Sequence, residues 1–89
     1  MVIQKEKFDE YEKQAKETAR KKLKELREAN NLTPEELANI IHVSKSLIES
    51  LENGNRNITI ENALQLAALY NVSLDYIYGL TQLLITQVY

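Results

Sequence analysis

The stretch that most constrains this chain runs from Thr33 to Gly54, TPEELANIIHVSKSLIESLENG, where two short apolar patterns meet across a sharp break. Leu37, Ala38 and Ile41 share one face of a helix, and Leu47, Ile48 and Leu51 share one face of the next. Only His42, Val43 and Ser44 lie between them. A connection that short leaves no loose loop, so the helices must cross steeply and pack through small or apolar side chains, which Ala38 and Val43 supply. The rest of the chain has to be built around this crossed pair.

Capping chemistry marks where its helices start and stop. Thr33 is an N-cap, Pro34 occupies the first helical position, and Glu36 follows three residues after Thr33 to complete a capping box. Ser44 caps the second helix, which runs to Asn53, where Gly54 can take the left-handed conformation that ends it.

Upstream, nothing breaks a helix from Gln4 to Asn30, and Phe8, Tyr11, Ala15, Ala19, Leu23 and Leu26 form one apolar stripe. Glu12 with Lys16, and Glu17 with Lys21, lie four apart in the favourable order and support the solvated face. The first half of this helix has few apolar contacts, so we expect it to project. Downstream, Asn55 to Ile58 reads as a polar loop. Thr59 caps a fourth helix whose apolar face comprises Ile60, Ala63, Leu64, Ala67, Ala68 and Leu69, as suits a central core helix. Asn71 ends it. Ser73 caps a short fifth helix through Leu74, Ile77 and Tyr78, closed by Gly79. The tail LTQLLITQVY is apolar and should not stay in water. It is expected either to pack as a short helix on the N-terminal stripe, which we favour, or to pair as a strand with a second copy.

The expected fold is therefore all-α: a compact five-helix bundle with an extended N-terminal helix and a short apolar C-terminal tail. Its divisions would be an extension over residues 1–19, the domain over 20–79 and the tail over 80–89. With 89 residues, a single core is marginal, and tight helix packing or association is needed. Two glycines, one proline and 44% hydrophobic residues agree with a helical globule. The absence of cysteine excludes disulfides, thiolate metal sites and cysteine catalysis, and the lone His42, read as a turn residue, cannot build a histidine metal cage. The charged N-terminus is unlike a signal peptide and no apolar run could span a bilayer, so a cytoplasmic location without membrane contact is expected. Charge is uneven. Residues 1–31 carry nine Lys and Arg against seven acids, whereas residues 32–89 carry only Lys45 and Arg56 against six.

Residues 20–79 resemble the helix-turn-helix domain of the Cro and lambdoid phage repressor type, the family named for the xenobiotic response element. LKELREANNLT, EELA, VSKS, SLENGNRN and NVSLDYIYGL match in the family's order and spacing. The resemblance implies a five-helix bundle whose second motif helix, Ser44 to Asn53, enters the DNA major groove, with two copies reading a near-palindrome. It also implies that Lys45, Ser46 and Ser50 sit at base-contacting positions and that Arg27 and Glu52 form a buried structural ion pair. Four positions depart from the pattern. Pro34 stands where many relatives have a phosphate-binding glutamine, His42 replaces a common turn glycine, and Ser50 and Asn55 fall where relatives often carry Arg or Lys.

The residues themselves point the same way. Lys45, Ser46, Glu49 and Ser50 fall away from the apolar face of their helix and are free to meet base edges. Lys45 can donate to guanine, the serines can serve several bases, and Glu49 can accept from cytosine N4. Backbone positioning would come from Thr33, Ser44, Asn53, Asn55, Arg56 and Asn57 together with open helix N-termini. Arg20, Lys21, Lys22 and Lys24 form a basic cluster on the long helix, read first as a solvated face. The expected function is a sequence-specific, DNA-binding transcriptional regulator, a dimeric repressor whose partners are double-stranded DNA and a second copy. The alternative is a helix-turn-helix fold used mainly for protein–protein contact, as an antitoxin-like or anti-repressor partner, which the acidic balance favours. No small-molecule ligand or cofactor is evident. The chain offers no phosphate-cradling glycine loop, no nucleophile with a base and no metal-ligand cluster, so an enzyme is not expected.

Overall fold

The computed structural model describes residues 5–80. Among these the elements are five helices: α1 (Lys5–Ala29), α2 (Pro34–Ile41), α3 (Lys45–Asn53), α4 (Ile60–Tyr70) and α5 (Leu74–Tyr78). The expected boundaries agree with these to within a residue or so. The tail beyond Leu80, including the expected packing or pairing of Leu83 to Tyr89, lies outside the described residues.

One local device recurs at nearly every corner. Asn31, His42, Gly54, Asn71 and Gly79 all take positive φ, from 56° to 82°. Each ends a helix, and the next amide donates back to a carbonyl five residues earlier: Leu32 to Arg27, Val43 to Ala38, Asn55 to Ser50, Val72 to Ala67 and Leu80 to Asp75. These bonds satisfy carbonyls that the helix end would otherwise leave open. At four of the five ends the donor is apolar, and Leu32, Val43 and Val72 fold back onto the core. A Thr or Ser then caps the next helix immediately: Thr33, Ser44 and Ser73 each accept from an amide three residues on. The apolar residue before each cap is spaced to staple against the fourth helical residue. Those fourth residues, Leu37, Ile48 and Ile77, are all buried. A three-residue unit of left-handed residue, apolar residue and hydroxyl cap thus turns the chain at 31–33, 42–44 and 71–73.

The core gathers Ala19 and Leu23 from α1, Leu37, Ala38 and Ile41 from α2, Ile48 from α3, Leu66 from α4 and Ile77 from α5. α2 and α3 pack closely on one another, α3 and α5 both rest on α1, and α4 packs chiefly against α5 and α2. The expectation for α4 needs correcting. It buries Ala63 and Leu66, while Ile60, Leu64 and Leu69 remain about half exposed. Its apolar arc is wider than the surface α2 and α5 present, so one edge of the arc has no neighbour among the described residues. The projection of α1 agrees with the sequence: Ala19, Leu23 and Arg27 are buried, whereas Phe8 and Tyr11 keep 58% and 49% of their surface exposed.

Candidate nucleic-acid interface

α3 presents two unlike sides. Ile48 and Leu51 are buried and Leu47 is half-buried, while Lys45, Ser46, Glu49 and Asn53 are exposed and Ser50 is partly turned inward. The helical repeat sets this division, since positions 45, 46, 49, 50 and 53 cluster on the arc opposite Leu47, Ile48 and Leu51. The exposed side has a cation and an acid, a hydroxyl and an amide, so it offers both donors and acceptors. Ser50 contributes less surface than its neighbours because it is partly buried.

The end of α3 is held from α1 by two arginines. Arg27 donates from Nε to Glu52 Oε2 at 2.7 Å and from Nη2 to Oε1 at 3.0 Å, a two-pronged pairing. Its remaining Nη1 donates to the Leu32 carbonyl at 2.7 Å, so one guanidinium ties α1, the α1–α2 turn and α3 together. Both side chains of the pair keep about 10% of their surface exposed. Hydrogen bonding to Glu52 raises the Arg27 pKa further, against the opposing effect of burial. Arg20 donates Nη1 to the Glu52 carbonyl at 3.0 Å, so it satisfies an open carbonyl in the last turn of α3. This role was not legible in the sequence, where Arg20 reads as one member of a basic run. Lys22 is also engaged, its Nζ lying 4.7 Å from the centre of the Tyr76 ring. The basic cluster is therefore partly structural, with Lys21 and Lys24 left exposed. The end of α2 has a brace of its own, Gln65 Nε2 donating to the Ile41 carbonyl at 3.4 Å.

The residues read as backbone-positioning are placed as follows. The Thr33 hydroxyl accepts from the Glu36 amide at 3.1 Å while the Thr33 amide donates to Glu36 Oε1 at 2.9 Å, completing the capping box. The Ser44 hydroxyl accepts from the Leu47 amide at 3.0 Å. Both hydroxyls are thus engaged as caps, though both residues are exposed at helix N-termini. Asn55, Arg56 and Asn57 form an exposed loop, but the Asn55 and Arg56 amides turn inward to the Ser50 carbonyl. Only their side chains face outward to a partner. Pro34 begins α2 without an amide hydrogen, which removes one donor from that helix N-terminus. A groove of about 360 Å³ runs between the projecting part of α1 and this loop. Asp9, Glu12 and Glu17 line it together with Lys13, Lys16, Arg20 and Arg56, so its charge is mixed.

Tyr70 lies near the Arg27–Glu52 pair, and its hydroxyl is buried without a hydrogen-bond partner among the described residues. Burial pushes its pKa up to about 12, with Arg27 acting in the opposite sense. No cluster of side chains able to hold a metal ion occurs among the described residues, and no helix there is long and apolar enough to cross a membrane.

This geometry has recognisable relatives. The uncharacterized HTH-type transcriptional regulator YobD of Bacillus subtilis (strain 168) is 42% identical over 60 residues, covering 67% of this chain and 54% of that protein. The chain thus spans about half the length of that relative. No solved structure matches at a significant level. The helix-turn-helix family profile matches residues 23–77, the span from the middle of α1 to α5 that contains the crossed pair and its braces. The chain belongs to the helix-turn-helix family, of the Cro and lambdoid repressor type.

Proposed function

We propose that this chain is a sequence-specific DNA-binding transcriptional regulator that acts as a dimer and represses by occluding a promoter. The coarse part, a DNA-binding regulator, rests on family membership and on the similarity to YobD, which is named as an HTH-type transcriptional regulator. The observation that carries the finer reading is the exposed side of α3, with Lys45, Ser46 and Glu49 outward on a helix whose end is held by Arg20 and Arg27. A rigid helix bearing a cation, a hydroxyl and an acid can discriminate base edges in the major groove. Lys45, Ser46, Glu49 and Ser50 are the base-reading set. Asn53 and the Asn55–Asn57 loop, with Thr33 and Ser44 at helix N-termini, set position on the phosphates.

Selection of duplex sites from a random pool tests this. The expected product is a near-palindrome with half-sites about 34 Å apart, one turn of duplex. Few cations accompany α3, so binding should weaken only gently with salt, with a log–log slope of about −2 to −4. Lys45→Ala should cost about 1–3 kcal/mol on the selected site and relax sequence preference at one position of each half-site. A pool that yields no enriched sequence at low salt would overturn the proposal.

A second reading, a helix-turn-helix fold that mainly binds protein, is favoured by the exposed edge of α4, where Ile60 and Leu64 stand with more than half their surface in solvent. Failure of the selection together with a stable complex formed through that edge would make it the better description.

A further inference from the structure

Ile41 ends α2, so its carbonyl has no amide within the helix to accept from. Gln65, halfway along α4, supplies that donor from Nε2 at 3.4 Å, and the bond is one end of a longer chain. Asn62 donates from Nδ2 to Gln65 Oε1 at 3.0 Å, the Thr59 hydroxyl donates to Asn62 Oδ1 at 3.1 Å, and the Asn62 amide donates back to that hydroxyl at 3.2 Å. The direction of the whole relay is forced from one end. A carbonyl only accepts, so Gln65 must turn its amide nitrogen to Ile41 and its oxygen to Asn62. Asn62 must then turn its nitrogen to Gln65 and its oxygen to Thr59. Flipping either amide would set donor against donor or acceptor against acceptor.

The relay joins the two segments that flank α3. Ile41 leads directly into the turn His42, Val43 and Ser44, and Thr59 directly follows the Asn55 to Ile58 loop. α4 has little direct contact with α3 and packs on α5 and α2. The distance from the turn before α3 to the loop after it is therefore set from outside that helix. Given the major-groove role proposed for α3, on which this rests, we infer that Gln65 is a positioning residue for DNA reading. With Asn62 and Thr59 it holds the turn at 42–44 in register with the loop at 55–57, so that Ser44, the loop side chains and the outward side of α3 meet one duplex together. Gln65 is itself exposed, so its loss leaves the core intact and shows in the fit to DNA.

Two substitutions in the full chain separate fit from folding. Gln65→Met keeps length and neutrality and loses the donor. Asn62→Asp keeps the acceptor for the Thr59 hydroxyl, loses the donor to Gln65, and puts an acid in the first turn of α4, where the helix dipole favours it. Each would be measured on the duplex obtained by selection and on a random-sequence duplex, which removes the added charge from the comparison. The expected result is a selected-to-random affinity ratio lowered roughly three- to tenfold, the effect of one hydrogen bond. The melting midpoint should stay within about 2 °C of the original in Gln65→Met and not fall in Asn62→Asp. In Asn62→Asp the His42 and Val43 amide resonances should also shift, although the relay reaches that turn only through Gln65. An unchanged ratio in either variant would overturn the role of Gln65 and leave the DNA reading standing, because the unaltered chain still holds its site. A parallel loss on both duplexes that tracks a lowered midpoint would overturn it as well, by making the relay a matter of stability. A selection that finds no site for the unaltered chain is the distinct failure of the DNA reading, and the role of Gln65 falls with it.

Discussion

Removing the Glu52 carboxylate leaves the Arg27 guanidinium in a site that keeps only about 10% of its side-chain surface exposed. In Glu52→Ala two of its three hydrogen bonds vanish, at 2.7 and 3.0 Å, and only the 2.7 Å bond to the Leu32 carbonyl remains. Stranding a buried charge in this way costs about 3–5 kcal/mol. Domains of this size are stable by only several kcal/mol, near the low end of the usual range of about 5–15. At about 4–8 °C per kcal/mol for a 60–100-residue domain, the midpoint should fall by at least about 12 °C. The assay is urea denaturation followed by helical circular dichroism, with a thermal melt alongside. Replacing both partners, as in Arg27→Met/Glu52→Leu, should recover most of the loss, because the penalty is the unpaired charge and not the absence of the pair. The Arg20 bond to the Glu52 carbonyl is a backbone contact and survives both changes. A Glu52→Ala protein within about 1 kcal/mol of the original would refute the reasoning, since this is the most a surface pair usually contributes.

Two further substitutions test other parts of the argument. His42 holds φ 61°, a conformation that costs a side-chain-bearing residue roughly 1–2 kcal/mol and glycine almost nothing. His42→Gly should therefore raise the urea midpoint, and a midpoint unchanged or lowered would show that the turn is not strained. Tyr70 keeps its proton in the folded state up to about pH 12, whereas in the unfolded chain it ionises near its ordinary value of 10. The folded form thus binds the proton more tightly, so stability should hold below pH 10 and decline as pH rises from 10 toward 12. Tyr70→Phe should flatten that alkaline limb. It should be neutral or slightly stabilising at pH 7, because the buried hydroxyl has no hydrogen-bond partner among the described residues to lose. An alkaline limb unchanged in Tyr70→Phe would assign it to another group.

What local chemistry dictates was readable in the chain. Thr33, Ser44, Thr59 and Ser73 open helices because a hydroxyl there satisfies an amide that has no helical partner. Gly54 and Gly79 close helices because left-handed backbone costs them nothing, and the apolar spacing of α2 and α3 dictates which side of each is buried. The outward set on α3 follows from the same periodicity, with Ser50 at its margin. Tertiary structure decided what depends on neighbours far away in sequence. Whether an apolar edge of α4 meets a partner element, and whether Arg20 in a run of four basic residues finds the carbonyl of Glu52 thirty-two positions later, are questions of packing that no local pattern encodes. Capping and periodicity act within a turn or two of helix, so the sequence by itself determined the five helices and the exposed side of α3. Long-range packing then decided which charges brace that helix and which remain free for a partner.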